Sequence, residues 1–246
     1  EDNETSSAAR TALENLEVQA GIDALCQEWK QSQDQAIQDI IISAGHVASR
    51  PDNLHFLTAI LTTSHSVIAE YGGKAVDKLN KLRSAKNDQI ATGARTLLLG
   101  LTSTETKDRL CELVVESEST DLEDIALEAG FAPSGEQERA RFFFLTAQWE
   151  KYDELDPDHS LLQEACKDSD DGYQERITKG ALEGNYPEIL RRANAGVTRI
   201  LIETLEDEDN ETSSAARTAL ENLEVQAGID ALCQEWKQSQ DQAIQD

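Results

Sequence analysis

Residues 1–39 of this 246-residue chain recur, without one substitution, as residues 208–246. Both stretches read EDNETSSAARTALENLEVQAGIDALCQEWKQSQDQAIQD. Natural repeats keep their pattern and lose individual letters, so this identity indicates either a very recent duplication or an engineered copy. The first copy (1–39) and the second copy (208–246) carry the same local propensities. We therefore expect both to form the same helices with the same docking surfaces.

An older, diverged repeat lies beneath the identical one. The letters AARTAL at 8–13 resemble GARTLL at 93–98. The same register also aligns Leu16 with Leu101, Cys26 with Cys111 and Gly45 with Gly130. After three inserted residues, FLTA at 56–59 aligns with FLTA at 144–147. The matches fall on apolar and glycine positions, where packing constrains a repeat.

The composition favours helices over strands. Proline occurs only four times and aromatic residues make up 5% of the chain, whereas Ala, Leu, Glu and Gln are abundant. Apolar positions recur at helical spacing in short segments, which predicts an all-α fold of stacked hairpins, an α-solenoid. Residues 64–73 and 184–196 are too short for full hairpins. The predicted helices span 4–16, 22–31, 35–44, 53–62, 74–83, 88–100, 106–116, 121–129, 136–149, 160–167, 172–183, 197–206, 211–223 and 229–238.

Two segments carry a family resemblance. An Asp or Asn followed, about two turns later, by the letters ARTLL or ARTAL resembles the second helix of a HEAT repeat. The stretches 23–49 and 139–158 are similar to bacterial HEAT-like proteins. The resemblance implies one HEAT-like domain over residues 1–246, in which acidic or amide residues and arginines bond between neighbouring repeats as a ladder. The implied ladder residues are Arg10, Asp88, Arg95, Asn210 and Arg217.

The chain is strongly acidic, with a formal net charge of −26. A basic belt interrupts this pattern at residues 72–109, and an acidic block occupies 203–211. Such blocks are usually solvated, but they can also orient partners. Binding to nucleic acid needs clustered Lys and Arg along a whole face. We therefore predict no nucleic-acid partner. The cations of the basic belt are Lys74, Lys78, Lys81, Arg83, Lys86, Arg95, Lys107 and Arg109.

No catalytic or metal-binding motif is visible in the sequence. The four cysteines form no CxxC pair, and the four histidines lack metal-ligand spacing. The acidic run DELDPD at 153–158 lacks the glycine and closing glutamate of a calcium loop, and we interpret it as a turn with helix caps. Phosphate loops, nucleophile elbows and dinucleotide fingerprints are missing. We predict a protein that is not an enzyme and that holds no cofactor and no metal.

Targeting signals are equally sparse. The sequence shows no signal peptide and no apolar run of membrane-spanning length. Isolated cysteines among apolar helical residues indicate reduced, buried thiols. We predict a cytoplasmic protein with no membrane partner.

The copied segments predict self-assembly. Helix 4–16 is the second helix of a hairpin without its partner, so its apolar face should stay open, and the second copy should leave its downstream face uncovered. The second copy of one molecule can then take the place of the first copy in another, which gives a head-to-tail ring or fibre. The simpler alternative is that the copy only caps the last repeat. The predicted interface residues are Leu13, Leu16, Ile40, Ile42, Leu220, Leu223, Trp236 and Ile244.

Two alternative functions belong to other classes. A HEAT-like DNA glycosylase would need a basic concave groove, which this acidic chain lacks. A HEAT-like bilin lyase or chaperone would act on a tetrapyrrole and its carrier protein. Fold alone does not decide between them. The preferred prediction is a non-enzymatic scaffold that binds itself and other proteins.

Overall fold

A computed structural model describes residues 2–117, 119–163, 173–184, 186–205 and 210–239. Within these ranges the regular structure is helical and contains no strand, which confirms the all-α prediction. Residues 160–163 are also helical. The helices are α1 (Asp2–Glu14), α2 (Gln19–Ser32), α3 (Gln35–Ala44), α4 (Asp52–Leu61), α5 (His65–Ala69), α6 (Gly73–Leu82), α7 (Asp88–Leu99), α8 (Thr104–Ser117), α9 (Thr120–Glu128), α10 (Glu136–Leu145), α11 (Trp149–Leu155), α12 (Tyr173–Glu183), the 3₁₀ helix η1 (Pro187–Arg192), α13 (Ala195–Thr204), α14 (Asn210–Glu221) and α15 (Gln226–Ser239).

The backbone follows the register of the older repeat. Helix α8 begins and ends at the residues that this register aligns with the two ends of α2. Gly45 and Gly130 follow helices α3 and α9 with φ of 67° and 66°, the left-handed conformation in which glycine escapes the steric penalty of a side chain. His46 N donates to Ile41 O at 3.0 Å, and Phe131 N donates to Ala126 O at 2.9 Å, which is the same helix-ending bond.

The prediction of one helix over 136–149 is wrong, because helix α10 ends at Leu145 and α11 begins at Trp149. The Thr146 hydroxyl donates to Phe142 O at 2.7 Å, and Ala147 has φ of 53°.

Helix α4 ends in the same way as α10. Thr62 is the C-terminal cap of α4, and Thr63 has φ of 48°. The structure therefore aligns Leu61, the last residue of α4, with Leu145, the last residue of α10. The FLTA alignment instead equates Leu57 with Leu145, so it is out by about one helical turn.

The first compact unit comprises residues 1–110 and 119–131. Helices α1 and α2 pack on α3, α2 also packs on α4, and α7 packs on α4, α6 and α9. Arginines of the basic belt form ion pairs inside this unit and join neighbouring helices. These pairs are Arg83–Asp121 (2.7 Å), Arg95–Glu128 (2.7 Å) and Arg109–Asp77 (2.8 Å).

The second compact unit comprises residues 111–118 and 132–246. Its core contains buried side chains from α10, α11, α12, η1, α13 and α14. Helix α14 packs on η1, α13 and α12, and α15 packs on α13. In the described parts of the chain, no helix has the length and apolar character needed to cross a membrane.

Candidate assembly site

The two copies form the same helix pair. Helix α15 begins and ends at the counterparts of the residues that begin and end α2, and α14 corresponds to α1 from its second residue onward. Identical residues therefore have identical local structure. What differs between the copies is the set of side chains that each one buries.

The first difference lies on the first helix of each pair. On α14, Ala216 and Ala219 are fully buried against the core of the second unit. Their counterparts on α1, Ala9 and Ala12, are exposed. The reason is that α14 packs on η1, α13 and α12, whereas the main packing partner of α1 is α3. The apolar face of α1 is therefore open.

The second difference lies on the second helix of each pair. Here the side chains of the first copy are buried and their counterparts in the second copy are exposed. Trp29 on α2 is 1% exposed, whereas its counterpart Trp236 on α15 is 47% exposed. Cys26 is buried and its counterpart Cys233 is exposed. Helix α2 packs on α3 and α4, and this cover protects its apolar face. Each copy thus exposes the face that the other copy buries.

The surface under the α1–α2 pair is lined with polar partners as well as apolar side chains. We call the face of α3, α4 and the connecting residues 45–51 the α3–α4 surface. Trp29 Nε1 donates to Gln38 Oε1 at 3.2 Å, and this oxygen also accepts from Asn87 Nδ2 at 2.7 Å. Gln38 is 2% exposed, so this amide is a buried and satisfied anchor.

Further anchors hold the ends of α1 and α2. The Asp23 carboxylate accepts from Ser49 N at 2.6 Å and from the Ser49 hydroxyl. His46 Nε2 lies 2.9 Å from Leu13 O. Gln19 Nε2 donates to Val47 O at 3.1 Å. The α3–α4 surface therefore recognises this helix pair by hydrogen bonds with fixed positions as well as by apolar burial.

Burial and hydrogen bonding shift the pKa values of two groups in the first copy. Loss of solvent, assisted by the negative charge of Asp23, raises the pKa of the Cys26 thiol to about 12. The Ser49 hydroxyl bond, followed by the Ser49 backbone bond, holds the pKa of the Asp23 carboxyl below its ordinary value. Cys26 is accordingly an unreactive core thiol, and Asp23 is an anchor that acts while ionised.

The Asp23 anchor makes the first copy sensitive to acid. A carboxyl whose pKa is lowered by folding stabilises the fold above its ordinary pKa of about 3.9, and this contribution is lost as the pH falls through the lowered value. We expect D23N to lower the thermal unfolding midpoint at pH 7, and the difference from the parent to shrink below about pH 4. D230N in the second copy is the matched control and should change little at either pH. Equal effects of the two substitutions would contradict this assignment.

Gly21 and Gly228 are counterparts that meet different surroundings. A Cβ on Gly228 would lie 2.6 Å from Ala193 O and 2.9 Å from Thr198 Oγ1, whereas a Cβ on Gly21 would meet only Leu16, at 3.2 Å. We expect G21A to change the unfolding free energy by about −0.5 to +1 kcal/mol, with any gain coming from the helical preference of alanine. G228A should destabilise the chain by about 1–3 kcal/mol, because the backbone of residue 193 must move. Urea titrations followed by circular dichroism compare the two variants, and equal effects would contradict the packing of α15 on α13.

The predicted interface residues fall into four groups. Ile40 and Leu220 are buried within their own units, so they are not exposed docking residues. Trp236 is exposed, and Ile244 lies outside the described residues. The remaining four are half-buried: Leu13, Leu16, Ile42 and Leu223.

The predicted ladder residues have other partners where the structure gives them one. Arg95 pairs with Glu128, and Arg10 pairs with Glu14 on the same helix at 2.9 Å. Asp88 is the first residue of α7, and the cap is the preceding Asn87, whose side chain accepts from Gln89 N and Ile90 N at 3.1 Å. Asn210 begins α14, and Arg217 is exposed on it. The ladder itself stays a prediction.

Sequence reasoning missed a buried polar cluster in the second unit. Tyr152, which is fully buried, donates to Asp156 Oδ2 at 3.2 Å. His159 Nδ1 lies 3.0 Å from the Tyr152 hydroxyl, and its Nε2 lies 3.2 Å from Glu188 Oε1. Burial, followed by the charge of Asp156, raises the pKa of Tyr152. The cluster joins α11 to the following turn and to η1, and the only advance signal was the dense acidic run at 153–158.

Comparisons with known proteins add no relative. No family model matches the chain, and neither the curated proteins nor the solved structures contain a significant match. In the described parts of the chain, no group of three or more His, Cys, Asp or Glu side chains is arranged to hold a metal ion.

Proposed function

We propose that this protein is a non-enzymatic helical scaffold of the HEAT-like type that assembles head to tail through its two identical segments. The observation that carries the proposal is the reciprocal burial of the copies. The first copy buries Trp29 and exposes Ala9, and the second copy buries Ala216 and exposes Trp236.

Reciprocal burial favours assembly over simple capping. A cap is expected to present a polar outer face. The outer face of the second copy instead presents Trp236, and the first copy presents Val18 at 69% exposure. Tryptophan is enriched at protein interfaces, and Trp236 is the largest of the exposed apolar side chains in the described part of the chain. A contact between two different surfaces is heterologous, so it propagates into a ring or a fibre.

The HEAT-like part of the proposal is supported by the helix pattern. Short helices recur in the register of the older repeat, with the same terminating bonds beside Gly45 and Gly130. Irregular elements interrupt the pattern at α5 and η1, where the sequence predicts no full hairpin. A scaffold of this kind offers its helical faces to partner proteins.

Light scattering tests the proposal. We expect the mass of the full chain to rise above the 27.1 kDa of a monomer as its concentration increases. A variant that lacks residues 208–246 should remain monomeric, and circular dichroism checks that it is still helical. A full chain that stays monomeric across the concentration range would overturn the proposal and leave the capping role.

A further inference from the structure

We infer that the exchanged unit is the helix pair α14–α15. In the assembly, this pair of one molecule lies on the α3–α4 surface of a second molecule, in place of that molecule's own α1–α2. The hinge of the exchange is residues 33–34. This inference rests on the proposed function, because it specifies how two molecules join.

The first copy itself identifies the occupant of the α3–α4 surface. Helices α14 and α15 carry the same residues as α1 and α2, so every anchor has a second candidate partner. Trp236 takes the place of Trp29, whose indole nitrogen bonds Gln38 at 3.2 Å. Asp230 likewise takes the place of Asp23 at Ser49. The surface therefore fits the α14–α15 pair of a second molecule as well as it fits the α1–α2 pair of its own molecule.

The exchange covers both faces of one helix pair. Helix α14 keeps its cover from η1, α13 and α12, so Ala216 and Ala219 remain buried. The outer face of α15 gains the cover that α2 has now, so Trp236 passes from 47% exposed toward the 1% of Trp29. The displaced α2 loses this same cover, so one identical helix pair gains what the other loses and the total buried apolar surface is unchanged. Exchange is therefore nearly neutral in contacts, as in domain swapping, and a rising protein concentration favours it.

In the connection between α2 and α3, each helix end is stabilised by its own hydrogen bonds. Gln33 ends α2 in the left-handed conformation, with φ of 55°, and its N–H donates to Trp29 O at 2.7 Å. Asp34 is the N-terminal cap of α3, and its carboxylate accepts hydrogen bonds from Ala36 N at 2.7 Å and from Ile37 N at 3.2 Å. Helix α3 thus has its own N-terminal cap, and α1–α2 can leave without unwinding it.

Disulfide trapping tests this arrangement in the full chain. D230C combined with S49C, in a background with C166S and C233S, places two thiols where the Asp23–Ser49 contact predicts a bond between molecules. We expect oxidation at assembling concentrations to give dimers and larger species that reducing agent dissolves, with the 49–230 link identified by mass spectrometry. D23C with S49C is the matched control that closes within one molecule, and the two single variants reveal adventitious disulfides.

Each outcome decides a different part of the inference. Assembly seen by light scattering without a 49–230 link, while the D23C/S49C control closes, would overturn the exchange and leave the proposed function standing. A 49–230 link found only in monomers would mean that a chain fills its own surface, which overturns the second molecule as occupant. L13E gives an independent reading if the control fails to close. Assembly should survive L13E under exchange, and its loss would show that the open face of α1 docks directly.

Discussion

Replacing Trp29 by alanine is expected to lower the free energy of unfolding by about 3–5 kcal/mol. The same replacement at Trp236 should cost about 1 kcal/mol or less in the monomer. Trp29 is 1% exposed and hydrogen-bonded to Gln38, whereas Trp236 is 47% exposed. The two variants have the same composition and mass, so each controls for the other. Urea unfolding at low protein concentration, followed by circular dichroism, measures the difference.

The same pair of variants should have the reverse order in assembly. W236A removes the side chain that occupies the α3–α4 surface of a second molecule, so it should abolish the rise in mass with concentration. W29A weakens the hold of α1–α2 on that surface, so assembly should begin at lower concentration than in the parent. Equal stability losses, or an assembly defect confined to W29A, would contradict the account.

A charge introduced at Ala216 is expected to cause the second large loss in the free energy of unfolding. A216E places a carboxylate at a position that is fully buried in the second unit, and we expect a loss of about 3–5 kcal/mol. A9E places the same carboxylate at the exposed counterpart, where the change should stay within about 0.5 kcal/mol. Denaturant titration of both variants measures the difference.

Charge and volume both contribute at Ala216, and acid separates them. Protonation removes the charge at low pH, so the difference between A216E and A216Q should shrink as the pH falls. A strong loss in A9E would mean that the face of α1 is covered in solution, which would contradict the open face described above.

Helix positions were the most predictable part of the fold. The predicted helix at 35–44 matches α3, and the five-residue α5 and the 3₁₀ helix η1 lie where no full hairpin is predicted. These features depend on periodicity and turn residues within a short window. The break after Leu145 was missed because it depends on the Thr146 hydroxyl and on a left-handed Ala147, a conformation that alanine seldom adopts.

Burial was less predictable, and the two copies show why. The identical letters of the copies give the same helices but opposite exposures for Trp29 and Trp236. Local sequence cannot decide exposure, because it depends on the neighbouring helices: α2 packs on α3 and α4, whereas α15 packs on α13. The exposure of Ala9 and the burial of Ala216 likewise depend on the helices beside them and not on the identical local sequence.

Side-chain networks between distant residues lay beyond sequence reasoning. Gln38 and Asn87 are far apart in the chain, yet their bond fixes the anchor for Trp29. The Tyr152–His159–Glu188 cluster likewise needs a turn and η1 to meet. Neither set has a spacing that marks it in the sequence, because both arise from packing between helices.

The most direct test of the central claim is ¹⁹F NMR of the chain labelled with 5-fluorotryptophan, recorded at low and at high concentration. We expect separate signals for Trp29 and Trp236 in the monomer, assigned with W29F and W236F. On assembly of W29F, the Trp236 signal should move from its exposed position to the position that buried Trp29 has in monomeric W236F. A Trp236 signal that stays exposed while light scattering shows assembly would contradict the claim that the second copy takes the place of the first.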